Sequence, residues 1–113
     1  MDTNNTNIKE HDAFIGQAVK ANSDAVFTVL MFHQSIYSSA IYSTASSTIA
    51  LRKGLYPVID KYHIDLVLSG HDHCYTRTFP MYSGTVQKGQ NYDSQGRMVN
   101  PTGTIYITAG SAS

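Results

Sequence analysis

Two stretches of this chain are nearly uninterrupted runs of apolar and β-branched side chains, and each leads into a histidine. Ala25 to Phe32 (AVFTVLMF) runs straight into His33, and Ile64 to Leu68 (IDLVL) passes through Ser69 and Gly70 into His71. The first run has the pattern of a strand covered on both faces, which only a layered structure with helices or a second sheet provides. The second stops at a glycine and then presents His71, Asp72 and His73. If the backbone after Gly70 stays extended, residues i and i+2 share a side, so His71 and His73 point together while Asp72 turns away. Their α-carbons would then lie roughly 7 Å apart. Imidazoles at that separation can each hold one ion of a metal pair spaced about 3.5–4 Å, or both can bind a single ion.

Length limits what such strands can belong to. With 113 residues, 42% of them hydrophobic, the chain is long enough for one core and short for two. Eight basic residues balance eight acidic ones and charged residues make up 14%, so there is no electrostatic footprint for nucleic acid or an anionic membrane. No apolar run reaches the length of a membrane span, and the single cysteine, Cys74, has no intrachain partner for a disulfide. Residues 1–7 (MDTNNTN) are polar, unlike a signal sequence, and read as a disordered tail or an arbitrary start.

The remaining pattern supplies the helices of an α/β core. Ile8, Phe14, Ile15, Ala18 and Val19 recur at three- and four-residue steps, with Thr6, Asn7 or Asp12 available as caps. Ser35 to Thr48 is rich in serine and threonine without a period and reads as a mobile loop facing the ligand side. Ser46 or Ser47 can cap a second helix with a buried stripe of Leu51, Leu55, Val58 and Tyr62, weakened or kinked by Gly54 and Pro57. A short strand is expected around Thr76 to Tyr82, a long loop or hairpin over 83–103, and an alternating strand at Thr104 to Thr108 (TIYIT). Both apolar strands then deliver their histidines to one sheet edge, and ligands of open α/β sheets bind outside the carboxyl ends of strands.

His33 closing one strand and Gly70-His71-Asp72-His73 closing another resemble the last two sequence motifs of the calcineurin-like metallophosphoesterases. The run LVLSGHDHCYTRTFPMYSGT and the later NPTGTIYITAG are similar to the C-terminal part of purple acid phosphatases and their bacterial relatives, and the likeness extends from roughly Val26 to Gly110. The resemblance implies that the chain, all of 1–113, is the C-terminal half of a four-layer αββα sandwich. It implies two divalent or trivalent ions (Fe, Zn or Mn), with His33 and His71 on one and His73 on the other, and hydrolysis of a phosphate ester by a metal-bound hydroxide. The family's earlier motifs have no match in this sequence. They are expected in an N-terminal half of the same domain, and the isolated chain is expected to be inactive, to hold metal at most partially, and to self-associate through its uncovered strands.

In plant members, adjacent histidines follow the position of His33, whereas Ser35 to Thr48 contains none. Tyr37 and Tyr42 stand in that region as candidates for lining the pocket, and Asp72 and Arg77 as candidates for supporting the ligands or substrate. A phenol with its ordinary pKa of about 10 is a poor replacement acid. The missing histidines motivate an alternative, a catalytically inactive phosphatase-like binding domain. A complete small metalloprotein with His33, His71 and His73 around one zinc is a third reading. Of the other candidates, Cys74 reads as a small partly buried residue, His11 as solvated, and His63 as explained by the dipole at a helix C-terminus.

Overall fold

The computed structural model describes residues 1–110. Among these residues, two α-helices, α1 (Ile8–Ala21) and α2 (Ser46–Lys61), and a short 3-10 helix at Ile41–Thr44 accompany eight strands: β1 (Val29–Gln34), β2 (Leu66–Gly70), β3 (Thr76–Arg77), β4 (Met81–Tyr82), β5 (Thr85–Val86), β6 (Asn91–Tyr92), β7 (Met98–Val99) and β8 (Ile105–Thr108). The main sheet has the order β1-β2-β8-β3, with β1, β2 and β8 parallel and β3 antiparallel to β8. The chain is thus mixed α/β. Segment 83–103 folds into parts of two small hairpins, β4 with β5 and β6 with β7.

Strand alternation assigns one face of the sheet to the core. Leu30 and Phe32 of β1, Val67 of β2 and Tyr106 of β8 pack with Ile15 of α1 and Leu55, Val58 and Ile59 of α2. Burying each large side chain contributes about 1.5–3 kcal/mol, so this layer dominates the stability of the fold. The opposite phase is different. Val29, Leu66 and Ile105 stand in one register row and Met31, Leu68 and Ile107 in the next, all partly or well exposed. The expectation that β1 is covered on both faces is therefore corrected: its burial alternates, and Val29 and Met31 are 49% and 62% exposed. The strand also begins later than the apolar run, with Val26 and Phe27 exposed ahead of it.

The N-terminal residues are folded, contrary to the reading of 1–7 as a disordered tail. The Met1 amine donates to the Met31 carbonyl at 2.9 Å, Thr3 is buried, and its Oγ1 accepts from the Gln34 amide. Asparagines close the turn, Asn5 Oδ1 accepting from the Asn7 amide and Asn7 Oδ1 from Lys9 at the start of α1. This turn also corrects His11, which is buried with Nε2 2.6 Å from the Asn5 carbonyl oxygen rather than solvated.

Helix α2 begins after Ala45 without a side-chain cap, so neither Ser46 nor Ser47 caps it; both lie inside its first turn. It ends in a left-handed residue, His63 at φ +51°, with Ile64 N donating to Ile59 O and His63 N to Asp60 O. That is the Schellman pattern, and the Ile59 and Ile64 side chains that flank it both belong to the core.

Candidate functional site

Strands β1 and β2 are adjacent and parallel, with Gln34 beside Gly70, so their carboxyl ends bring His33 and His71 together. Nδ1 of His71 lies 3.2 Å from Nε2 of His33, the rings set edge to face with centroids 5.1 Å apart. With neutral imidazoles, one nitrogen donates and the other accepts. The two lone pairs can instead face one cation: zinc–nitrogen bonds of about 2.0–2.1 Å put the nitrogens of a tetrahedral site about 3.3–3.4 Å apart. The spacing fits that edge, and the donor type suits zinc or iron.

His73 lines the same cavity, about 650 Å³ in volume, together with Tyr42, Asp72 and Gly110. Among the described residues, however, no three His, Cys, Asp or Glu side chains stand close enough together to hold one metal ion. The arrangement is a paired imidazole edge with a third imidazole on the cavity wall.

The turn that carries these residues is not extended. β2 ends at Gly70, His71 takes φ +65°, Asp72 N donates to Gly70 O at 2.7 Å, and Cys74 N donates to Asp72 O at 2.8 Å. Two successive tight turns, rather than a pleat, leave His71 and His73 exposed and bury Asp72 to 3%. The expected alternation of sides thus arises from a different backbone. Asp72 Oδ1 is buried without a hydrogen-bond partner among the described residues, so it fixes no ring tautomer. An orphaned buried carboxylate oxygen on a cavity wall calls for a donor or a cation.

The remaining candidates divide. Tyr42 is at the site, its ring 5.2 Å from that of His71. Tyr37 is not among the residues around the cavity: its ring packs edge-on against Tyr106 at 4.7 Å, with the Arg52 guanidinium 5.2 Å above it. Burial raises the Tyr37 pKa above 10.0, making its phenol a still weaker acid. Arg77 is exposed in β3, beside Ile107, and borders a separate surface hollow with Phe79 and Arg97. Among the described residues it forms no ion pair, so it neither reaches the histidines nor braces the loop through a carboxylate.

Ser35 to Thr48 is anchored rather than loose. Ile36 is buried, and the Arg52 guanidinium donates to the carbonyls of Ile36 and Ser43. Cys74 sits among hydroxyls, Sγ 3.5 Å from both Thr76 Oγ1 and Ser38 Oγ, and these contacts, Thr76 first, hold its pKa below the usual 9.0. Sequence reasoning missed the buried hydroxyls of Ser35, Ser69 and Thr108 beneath the site. The signal was present for two of them: Ser69 and Thr108 occupy the inward phase of otherwise apolar strands.

No family model matches the chain, and no solved structure matches it. Two relatives, uncharacterized proteins from two strains of Mycobacterium tuberculosis, are each 25% identical over 95 residues. The match takes in 80% of this chain, which spans about 18% of the length of either relative.

Proposed function

We propose that this chain is the C-terminal portion of a dinuclear-metal phosphoesterase of the purple-acid-phosphatase-like kind, acting on a phosphate-ester substrate. The observation that carries the reading is the convergence of His33 Nε2 and His71 Nδ1, 3.2 Å apart, at the carboxyl ends of neighbouring parallel strands. The uncovered apolar face of the sheet supports it too, since a sandwich of four layers would place its second sheet there.

In such a site two ions of iron, zinc or manganese supply an acidified water and a clamp for phosphate oxygens. The chain's own residues hold and orient. His33 and His71 can present lone pairs to one position, His73 adds a third imidazole on the wall of the same cavity, and the Tyr42 ring lies beside that of His71. No histidine in Ser35 to Thr48 is available to protonate a leaving group. That absence favours, as a second reading, a phosphatase-like binding domain without turnover.

The test is hydrolysis of an aryl phosphate by the longer parent protein loaded with zinc, iron or manganese. Turnover that His71→Ala abolishes is the expected result, with none from the 113-residue chain alone. Full activity in the His71→Ala parent overturns the assignment. Binding of phosphate without turnover selects the second reading.

A further inference from the structure

Beneath the imidazole pair lies a hydroxyl cluster that joins three separate parts of the chain. Thr108, fully buried at the last position of β8, stands in register with Ser69 of β2 and Thr76 of β3. Its Oγ1 is in hydrogen-bond contact with Ser35 Oγ, lies 3.0 Å from the Tyr37 carbonyl oxygen, and is 3.5 Å from Ser69 Oγ. Ser35 Oγ also reaches the Tyr37 carbonyl at 2.9 Å, and Ser69 Oγ reaches the Ile107 carbonyl at 3.4 Å. Three hydroxyl protons are therefore shared among two carbonyls and the hydroxyl oxygens themselves. One consistent arrangement has Ser35 donating to Thr108, Thr108 to Tyr37 O, and Ser69 to Ile107 O.

The members flank the imidazoles symmetrically. Ser35 follows His33 by two residues, and Ser69 precedes His71 by two. A buried hydroxyl is unfavourable in an apolar layer unless it is hydrogen-bonded. Valine would fill the Thr108 position with the same shape, so the hydroxyl's distinct contribution is the link between strand ends. Fully satisfied buried networks of this kind hold one geometry in preference to others.

We propose that Thr108 is a positioning residue for the His33–His71 pair: through Ser35, Ser69 and the Tyr37 carbonyl it fixes the separation of the β1 and β2 ends at which both imidazoles can face one cation. The proposal rests on the metal-centre reading above for its purpose, but not for its geometry. Thr108 touches neither imidazole, and acts only by holding the backbone on which they are mounted.

The experiment uses the isotope-labelled chain and two NMR readouts: the ring-to-ring nuclear Overhauser effect between His33 and His71 without metal, and a zinc titration followed on both imidazoles. Thr108→Val is expected to lose the ring contact and weaken zinc binding by about 10- to 100-fold, the usual effect of removing support around a ligand, while amide dispersion is retained. Thr108→Ser is expected to restore both. If Thr108→Val does not fold, Ser35→Ala carries the test with the same readouts. Retention of ring contact and zinc affinity in the folded variant overturns the proposal, as does absence of ring contact in the unmodified chain. An unmodified chain with ring contact but no zinc binding means that the metal site needs its upstream half or is lost, and the ring contact in Thr108→Val still decides the role of Thr108.

Discussion

His71 reaches to within 3.2 Å of His33 from a backbone held at φ +65°. A side chain in this left-handed region costs on the order of 1–2 kcal/mol relative to glycine, and local strain of this kind gathers where a geometry is put to use. His71→Gly is accordingly expected to be more stable than His71→Ala by about 1 kcal/mol in chemical denaturation, since alanine keeps the strain. Both are expected to lose joint zinc capture with His33. Equal stability of the two variants would remove strain from the account.

The two strand ends were legible because apolar runs terminating in histidine leave few alternatives: both strands form, lie side by side in parallel, and bring His33 to His71. Helix α1 takes Asn7 as its cap, one of the three candidates the sequence offers, and α2 tolerates Pro57 within its length. What escaped was set by neighbours that periodicity does not encode. The burial of Asp72 follows from consecutive tight turns at His71 and His73, and the burial of His11 from a turn made by asparagines well before it. Tyr37 was misplaced for a related reason, because its position in a polar loop says nothing of the Tyr106 ring waiting across the core.

Asp12 joins the helices, accepting from Tyr62 Oη at 2.6 Å and from Lys61 Nζ at 2.9 and 3.0 Å. The Tyr62 hydrogen bond, then that of Lys61, lowers its pKa below 3.8, while Asp12 raises the Lys61 pKa above 10.5. An acid with a depressed folded pKa contributes stability above its unfolded value that is lost as pH falls through the folded one. For the lysine, the contribution is full below its unfolded value and is lost as pH rises through the folded one. Asp12→Asn is therefore expected to lower the melting temperature across the neutral range, with the gap closing below pH 3.8. Lys61 is exposed and Asp12 partly so, and the effect is therefore small and weakens with salt. A gap unchanged at acid pH would show that the carboxylate's charge is not its source.

Helix α1 also contains Gly16, where alanine would ordinarily add about 1 kcal/mol of helix stability. Here a Cβ would meet Tyr62 Oη at 2.6 Å and Cζ at 2.9 Å, against a ring anchored by Asp12. Overpacking a rigid ring costs about 1–3 kcal/mol, which outweighs the propensity gain. Gly16→Ala is expected to destabilise by about 1 kcal/mol, the difference of those terms. Gly54→Ala in α2 meets Ile8 Cδ1 at 2.6 Å and Cγ1 at 2.7 Å, on a half-buried side chain that can rotate away, and is expected to cost less than Gly16→Ala. Urea denaturation of the two variants compares them directly, and a stabilised Gly16→Ala would mean that α1 and α2 can separate freely.

The open face of the main sheet sets the behaviour of the isolated chain in solution. Val29 and Met31 are followed across the sheet by Leu66, Leu68, Ile105 and Ile107, forming an apolar surface in register rather than scattered exposed residues. β1 is moreover an edge strand, paired on one side by β2, and among the described residues the N-terminal segment engages only its Met31 carbonyl and Gln34 amide. Contiguous apolar area together with an unpaired edge favours association by both burial and strand addition. The chain is expected to run above its monomer mass in concentration-dependent light scattering. Paired Val29→Lys and Met31→Lys substitutions should return it to monomer, because each charge would have to be buried for the faces to meet. They lie outside the core layer, so the helical circular dichroism should be retained. A monomeric unmodified chain across the accessible concentrations would show that this face is stable in water, and would remove it as support for a second sheet at that position.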